Sequence, residues 1–303
     1  MDGKTLSRDM ATLLLENPDT SGFLDSRGTY SFLWRASMEM ARRLQYPRAE
    51  STVTTVADQQ DQYLLNADFL SLYMRDAKDQ FFVRYYNGTS YTNISMKDEQ
   101  EIFEDHNTTS QATPGGFAVT DYRVAISNVT GTATGNGEAS AGSCTLADTA
   151  ASFSSTVNAG DTIHNPTDGS TGYVLSVTSG TALVTALFGG TNNDWSTNDA
   201  YVIVPQRRYQ LLLDAPAKTA GHTITVPYIQ RPAPVFSHYG SYPFPIDLTN
   251  ALVHYAAFLY KYRDSAPDFG DKWFGLYDRE VRRSATQLRS SLGRRRLQVI
   301  MKV

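Results

Sequence analysis

Tyr209-Gln210-Leu211-Leu212-Leu213, followed by Thr223-Ile224-Thr225-Val226-Pro227-Tyr228-Ile229-Gln230, is the stretch that decides the fold. Both segments read as strands, and the second is rich in β-branched residues. They come directly after residues 128–204, which are rich in Gly, Thr and Ser and contain no Lys or Arg. Their natural partners are the strands before that stretch. Residues 128–204 are therefore an insertion in a loop of another domain, a position that tolerates added chain well.

Helices flank this centre. Leu6, Met10, Leu13 and Leu14 share one helical face, and Asn17-Pro18 ends it, because a residue before proline avoids the α region. Ser26 is the expected N-cap of a second helix to Leu44, with Tyr30, Leu33, Trp34, Met38, Ala41 and Leu44 as its apolar stripe. From residue 51 the period changes to two. Strands are expected at 52–56, 70–74 and 80–86, with Asn87-Gly88 as a hairpin turn before Tyr91. Ser95 is the expected cap of a short acidic helix reaching His106, and a strand is expected over 117–126 after Pro114-Gly115-Gly116.

Within the insertion, strands are expected at 143–146, 162–164, 172–177, 182–186 and 201–204, with 131–142 as a turn or irregular edge. Short strands at this spacing suggest a small sandwich or barrel. A Pro-rich connector, 231–245, leads to helices over 247–263 and 268–292, and Gly293 suits the position after the last helix.

A chain of 303 residues holds about two domains. Its net charge of −4 excludes nucleic-acid binding by bulk charge. The sign is uneven, however: residues 279–302 carry Arg279, Arg282, Arg283, Arg289, Arg294, Arg295, Arg296 and Lys302 against Glu280 alone. Cys144 is the sole cysteine, so no intrachain disulfide forms, which suits a reducing compartment. Residues 1–10 lack the apolar core of a signal peptide, and no run approaches a membrane span.

Clustered chemistry is missing from the pattern. His106, His164, His222, His238 and His254 are scattered and read as packed or solvated, with no metal-ligand spacing. Asp98, Glu99, Glu101, Glu104 and Asp105 form an acidic run, expected as a solvated face or a surface for a basic partner rather than as a hydrolytic pair. Gly115-Gly116 and Gly189-Gly190 lack the spacing of phosphate loops. Asp161, Asp168, Asp194 and Asp199 read as turn formers before calcium ligands. No catalytic, metal or cofactor residue is assigned. The Arg-rich end has three readings: cations suited to a helix C-terminus, a docking tail for an acidic partner, or a phosphate contact.

Several motifs share an order with a known family. These are Thr54-Thr55-Val56, Asp58-Gln59-Gln60, Tyr63-Leu64-Leu65-Asn66-Ala67-Asp68-Phe69-Leu70, Pro114-Gly115-Gly116-Phe117, Tyr209-Gln210-Leu211-Leu212-Leu213-Asp214-Ala215-Pro216 and the Tyr-rich helix over 246–262. The order resembles the head-to-tail adaptor (connector, tail-tubular-type) proteins of tailed bacteriophages. Leu65-Asn66 stands where the family's common form has a Leu-Pro step. The resemblance implies a non-enzymatic virion protein, made in the host cytoplasm and placed at the head–tail junction. It also implies a homo-oligomeric ring under the portal, dodecameric in the family, with genomic DNA passing through its lumen without sequence-specific contacts.

The expected fold is α+β. A helical bundle from the N- and C-terminal helices joins a small antiparallel β domain (1–127 and 205–293), the insertion (128–204) is an all-β module, and 294–303 is a tail. The expected portal-binding residues are Arg294, Arg295, Arg296, Leu297, Val299, Ile300 and Val303, with Gly293 as hinge. The other expected partners are nozzle or tail proteins, with a fibre contact through the insertion. No membrane is involved. The alternatives are another tail or fibre-anchoring protein, or a cell-wall glycan-binding or hydrolytic protein.

Overall fold

Two pairings between strands far apart in the sequence organise the β part of the chain. The computed structural model describes residues 2–15, 26–73, 83–104, 111–122, 124–263 and 267–291. The fold is mixed α+β and divides into two compact units: residues 47–237, and the two chain ends, 1–46 with 238–303.

In the first unit the strands before the insertion are β1 (Arg48–Thr54), β2 (Tyr63–Leu64), β3 (Phe69–Leu72), β4 (Val83–Tyr86), β5 (Tyr91–Met96) and β6 (Gly116–Asp121). The insertion supplies β7 (Val129–Thr132) to β12 (Ala200–Val204), and β13 (Tyr209–Leu213) and β14 (Thr223–Gln230) follow it. One curled sheet runs β1-β14-β4-β5-β6-β13-β2, with β3 also on β14. All its ladders are antiparallel except β5–β6.

The register explains the quoted sequence. Leu211 and Leu213 point into the core with Phe117, Ile224, Val226 and Tyr228, while Leu212 buries on the opposite face with Ala118 and Ile102. Ile102 belongs to α3 (Glu99–Glu104), so three consecutive leucines are apolar because both faces of β13 are covered. β14 pairs along its length with β1 and on its other side with β4 over residues 223–225 and β3 over 228–230. Pro227, which has no N–H to give, lies where that partner changes.

The insertion forms a second, barrel-like sheet in the order β7-β12-β9-β10-β11-β8. Its remaining strands are β8 (Cys144–Ala147), β9 (Thr162–Asn165), β10 (Ser170–Ser179) and β11 (Ala182–Phe188). The Thr134 N–H donates to the Ala147 carbonyl at 2.8 Å, which brings the two ends of the sheet together. Trp195, Tyr201, Phe153, Leu146, Ile163 and Leu183 fill the interior. Two of the larger polar side chains inside are paired: the Trp195 Nε1–H donates to Thr185 Oγ1 (2.9 Å) and the Tyr201 hydroxyl to Asp148 (2.7 Å).

A polar strap ties the barrel to the first sheet. Asp161 accepts from the Gln206 N–H (3.0 Å) and the Asn158 N–H (2.8 Å). Arg231 donates to the Gln206 side chain and to the Phe69 carbonyl. Phe236, in the connector, stacks on Tyr173 of β10, with ring centroids 4.9 Å apart.

In the second unit, α1 (Gly3–Leu14) and α2 (Ser26–Leu44) pack with α5 (Thr249–Arg263) and α6 (Pro267–Ser291), and a 3₁₀ turn at Ile246–Leu248 precedes α5. Asp2 caps α1 by accepting from the Thr5 N–H at 2.8 Å. The start of α1 is pinned to the connector, since the N–H groups of Gly3 and Lys4 donate to the carbonyls of Gly240 and His238.

Several expectations differ in detail. Ser95 lies in β5, and Asp98 caps α3 by accepting from the Gln100 N–H at 2.8 Å. The hairpin loop spans four residues, because Tyr86 pairs with Tyr91 and the Asn87 side chain accepts from the N–H groups of Thr89 and Ser90. β6 ends at Asp121, short of 126. β7 and α4 (Phe153–Thr156) were not expected. Gly131 hides β7 in the sequence: a Cβ there would lie 2.4 Å from the Tyr201 hydroxyl, so the strand carries a glycine where a β-former would stand.

Burial pushes the Cys144 thiol up to about 11, against a hydrogen bond with Thr185 that lowers it. The folded barrel therefore holds the neutral thiol, and this contribution is lost as pH rises from about 9 toward 11. A Cβ on Gly172 would meet the Ala186 carbonyl oxygen at 1.7 Å, whereas one on Gly180 makes ordinary contact with Ser154 at 3.6 Å. Gly172→Ala is expected to destabilise the barrel by about 1–3 kcal/mol, and Gly180→Ala to leave it nearly unchanged. The rate at which a thiol reagent labels Cys144 at neutral pH reads this. It should be slow in the parent and in Gly180→Ala, and faster by about tenfold or more in Gly172→Ala.

Candidate interaction surface

α5 places Tyr255, Phe258 and Tyr262 three and four residues apart, so their rings line one side of the helix. α6 sets Phe274 and Tyr277 against them. Centroids are 4.6 Å apart for Phe258–Tyr262, 4.7 Å for Tyr255–Tyr277 and 5.2 Å for Phe258–Phe274, all tilted, within the favourable range for aromatic pairs. The ladder is buried at Tyr277 and emerges at Tyr262, which is 50% exposed. Burial raises the Tyr277 phenol above its ordinary range.

Arg43 of α2 locks this ladder. Its Nε donates to Glu39 at 2.8 Å and its Nη1 to Asp278 at 2.8 Å. The guanidinium also lies 5.6 Å from the Phe274 ring centroid and 5.3 Å from that of Tyr277. Desolvation opposes its charge, but Glu39, Tyr277 and Asp278 outweigh it and raise its pKa. One side chain thus joins α2 to α6 through a carboxylate and two rings. The sequence signal for it was the Glu39/Arg43 pair at i, i+4, which by itself reads as an ordinary surface pair.

Beside this, His254 stacks on Trp273 (5.6 Å) and shares a 3.1 Å hydrogen bond with Glu280. Arg279, Arg282 and Arg283 are exposed on α6, the near end of the basic run read from the sequence. Arg282 is 80% exposed and pairs with Asp278 at 2.8 Å. The expected hinge Gly293 and the expected docking residues Arg294, Arg295, Arg296, Leu297, Val299, Ile300 and Val303 lie outside the described residues.

On the other unit, α3 presents Glu101 outward, at 55% exposure, beside the exposed Asp98. Lys97 approaches Asp214 at 3.5 Å and Glu101 at 3.9 Å. Asp105 and His106 lie outside the described residues. His222 hydrogen-bonds Tyr85 through its ring and Thr55 through its N–H. In the insertion Asp168 and Asp199 serve turns. Asp168 accepts from the N–H groups of Thr191, Asn192 and Asn193, and Asp199 accepts from Asn165 and the Ser196 N–H. Among the described residues no group of three or more His, Cys, Asp or Glu is placed to hold a metal ion.

Arg43→Ala should cost the helical unit about 1–2 kcal/mol, the summed value of a cation over two rings and two partly exposed ion pairs. Arg43→Lys should recover part of this, because it keeps the charge and loses the fork. Thermal melts followed by helical circular dichroism check both, and equal melts for all three proteins would show that the joint carries no stability. No family model matches the chain and no curated protein matches it.

Proposed function

We propose that the chain is a non-enzymatic structural subunit of a tailed-phage head–tail junction, a ring protein that binds the portal and offers its other surfaces to tail or nozzle proteins. The observation that carries the reading is the division of labour along the chain. The two ends meet in one helical unit, α1 and α2 with α5 and α6, and the middle forms a separate β unit. In this reading the four helices are the bundle of the adaptor, and dodecamers are its ring form.

Further support comes from where polar groups go. Arg43, His254, Asp168 and Asp199 are engaged in holding helices and turns. The exposed arginines of α6 lead toward Arg294–Arg296, which in this reading dock on acidic portal surface while Leu297, Val299, Ile300 and Val303 fill grooves. Gly293 is the hinge. The insertion, strapped to the β sheet, projects as a rigid attachment point for tail or fibre proteins. DNA passes through the lumen held by no sequence-specific contact. No helix among the described residues is long and apolar enough to cross a membrane.

Deleting residues 294–303 tests the reading. Full-length protein should sediment with purified portal rings. The truncated protein should lose at least about tenfold in affinity, corresponding to about 1.4 kcal/mol or more, while its thermal melt stays unchanged. Equal portal binding by both proteins would remove the docking role of the tail. Failure of full-length protein to bind portals, with clearing of peptidoglycan suspensions instead, would move the chain to the cell-wall class.

A further inference from the structure

The sequence contains two Asn-Gly pairs, Asn87-Gly88 and Asn136-Gly137. In this dipeptide the glycine nitrogen meets little hindrance in approaching the asparagine amide, because glycine has no Cβ. The fold treats the two pairs differently. Asn87 and Gly88 stand exposed in the loop between β4 and β5. Gly88 has a φ of +89°, and nothing lies within 4 Å of where its Cβ would be. Its N–H makes no hydrogen bond among the described residues. The Asn87 side-chain oxygen accepts from the N–H groups of Thr89 (2.9 Å) and Ser90 (2.8 Å).

Asn136-Gly137 is held in place. The Gly137 N–H donates to the Trp195 carbonyl at 2.7 Å, and the Trp195 N–H returns to the Gly137 carbonyl at 3.2 Å. Gly137 is buried, and a Cβ on it would lie 1.8 Å from the Thr145 carbonyl oxygen. The Asn136 side-chain oxygen is fixed by the N–H and the hydroxyl of Thr197, both at 2.8 Å. To reach the Asn136 amide, the Gly137 nitrogen must therefore give up the Trp195 carbonyl inside a packed wall. That lost hydrogen bond opposes reaction at Asn136 and has no counterpart at Asn87.

We propose that Asn87 is a site of spontaneous deamidation in the folded protein, and that the fold protects Asn136. The Gly88 nitrogen loses its proton to hydroxide and forms a bond to Asn87 Cγ. The negative charge passes to Asn87 Oδ1, at which the Thr89 and Ser90 N–H groups are already aimed. Collapse breaks the Cγ–Nδ2 bond, and the nitrogen takes a proton from water and leaves as ammonia. Water then opens the succinimide ring at one of its two carbonyls, which gives aspartate or isoaspartate at position 87. The net change is one water taken up and one ammonia released, with no oxidant or metal involved. Either product places a carboxylate on the exposed loop beside the Tyr86–Tyr91 ring pair, whose centroids are 4.6 Å apart. Isoaspartate also lengthens the backbone between β4 and β5 by a methylene. The inference is independent of the adaptor reading.

Peptide mapping by mass spectrometry tests the site. Folded full-length protein is incubated in mildly alkaline buffer and sampled over time, and a second portion is incubated unfolded in guanidinium chloride at the same pH. In the folded protein the peptide containing Asn87 should gain the mass of amide-to-acid conversion at least about tenfold faster than the peptide containing Asn136, a barrier difference of about 1.4 kcal/mol or more. In the unfolded protein the two rates should converge, because the discrimination belongs to the fold. An isoaspartyl methyltransferase with a labelled methyl donor should then tag the converted Asn87 peptide, as ring opening requires. Equal rates at the two sites in the folded protein, or faster conversion at Asn136, would overturn the proposal. So would an Asn87 that stays intact in the folded protein while the unfolded chain converts. Conversion to aspartate alone, with no isoaspartate, would overturn the attack by Gly88.

Discussion

The antiparallel pairing of β6 with β13, from Asp121↔Tyr209 to Phe117↔Leu213, is the constraint on which the β unit depends. It brings together the two ends of the insertion, and the Tyr122 N–H extends the ladder to the Arg208 carbonyl. The entropy of closing a loop grows slowly with its length, so a module with its own core is added there at small cost. The inserted barrel has that core in Trp195, Tyr201 and Phe153. β14 does the corresponding work on the other side of the sheet, where it pairs with β1, β3 and β4.

Polar groups do the fastening between these apolar cores. Asp161 is raised by burial, while the N–H groups of Gln206 and Asn158 and the nearby Arg208 and Arg231 favour its ionised form. The barrel is thereby held to the sheet by directional bonds and by the Phe236–Tyr173 stack. In the helical unit Arg43 does comparable work between α2 and α6. In both places a charged side chain spans segments distant in sequence, and these are the joints whose loss would free one element from its neighbour.

Much of this was legible in the residues. The repeats at Leu6–Met10–Leu14 and along 26–44 gave α1 and α2, and Tyr209–Leu213 with Thr223–Gln230 gave the return to the parent sheet. The low charge of 128–204 marked the inserted module. What was not legible depended on tertiary contact. Gly131 masks β7 because its reason is the Tyr201 ring across the barrel. Asp98 displaced Ser95 as cap because Ser95 was taken by the β5–β6 ladder. The role of Arg43 follows from Asp278, Phe274 and Tyr277. The docking residues were read from composition and from resemblance, and they fall outside the described residues.

The chain joins a helical unit made from both chain ends, a β unit that contains an inserted barrel with its own core, and a basic stretch that begins on α6. Such a division suits a protein whose surfaces each meet a different neighbour in a large assembly. The central claim, a ring at the portal, is tested most directly by electron cryo-microscopy of the protein bound to its portal. The account predicts a closed ring beneath the portal, with residues 294–303 of each copy seated in portal grooves and the barrel on the outer side. A protein that leaves the portal bare and appears at a tail tip or fibre would contradict it.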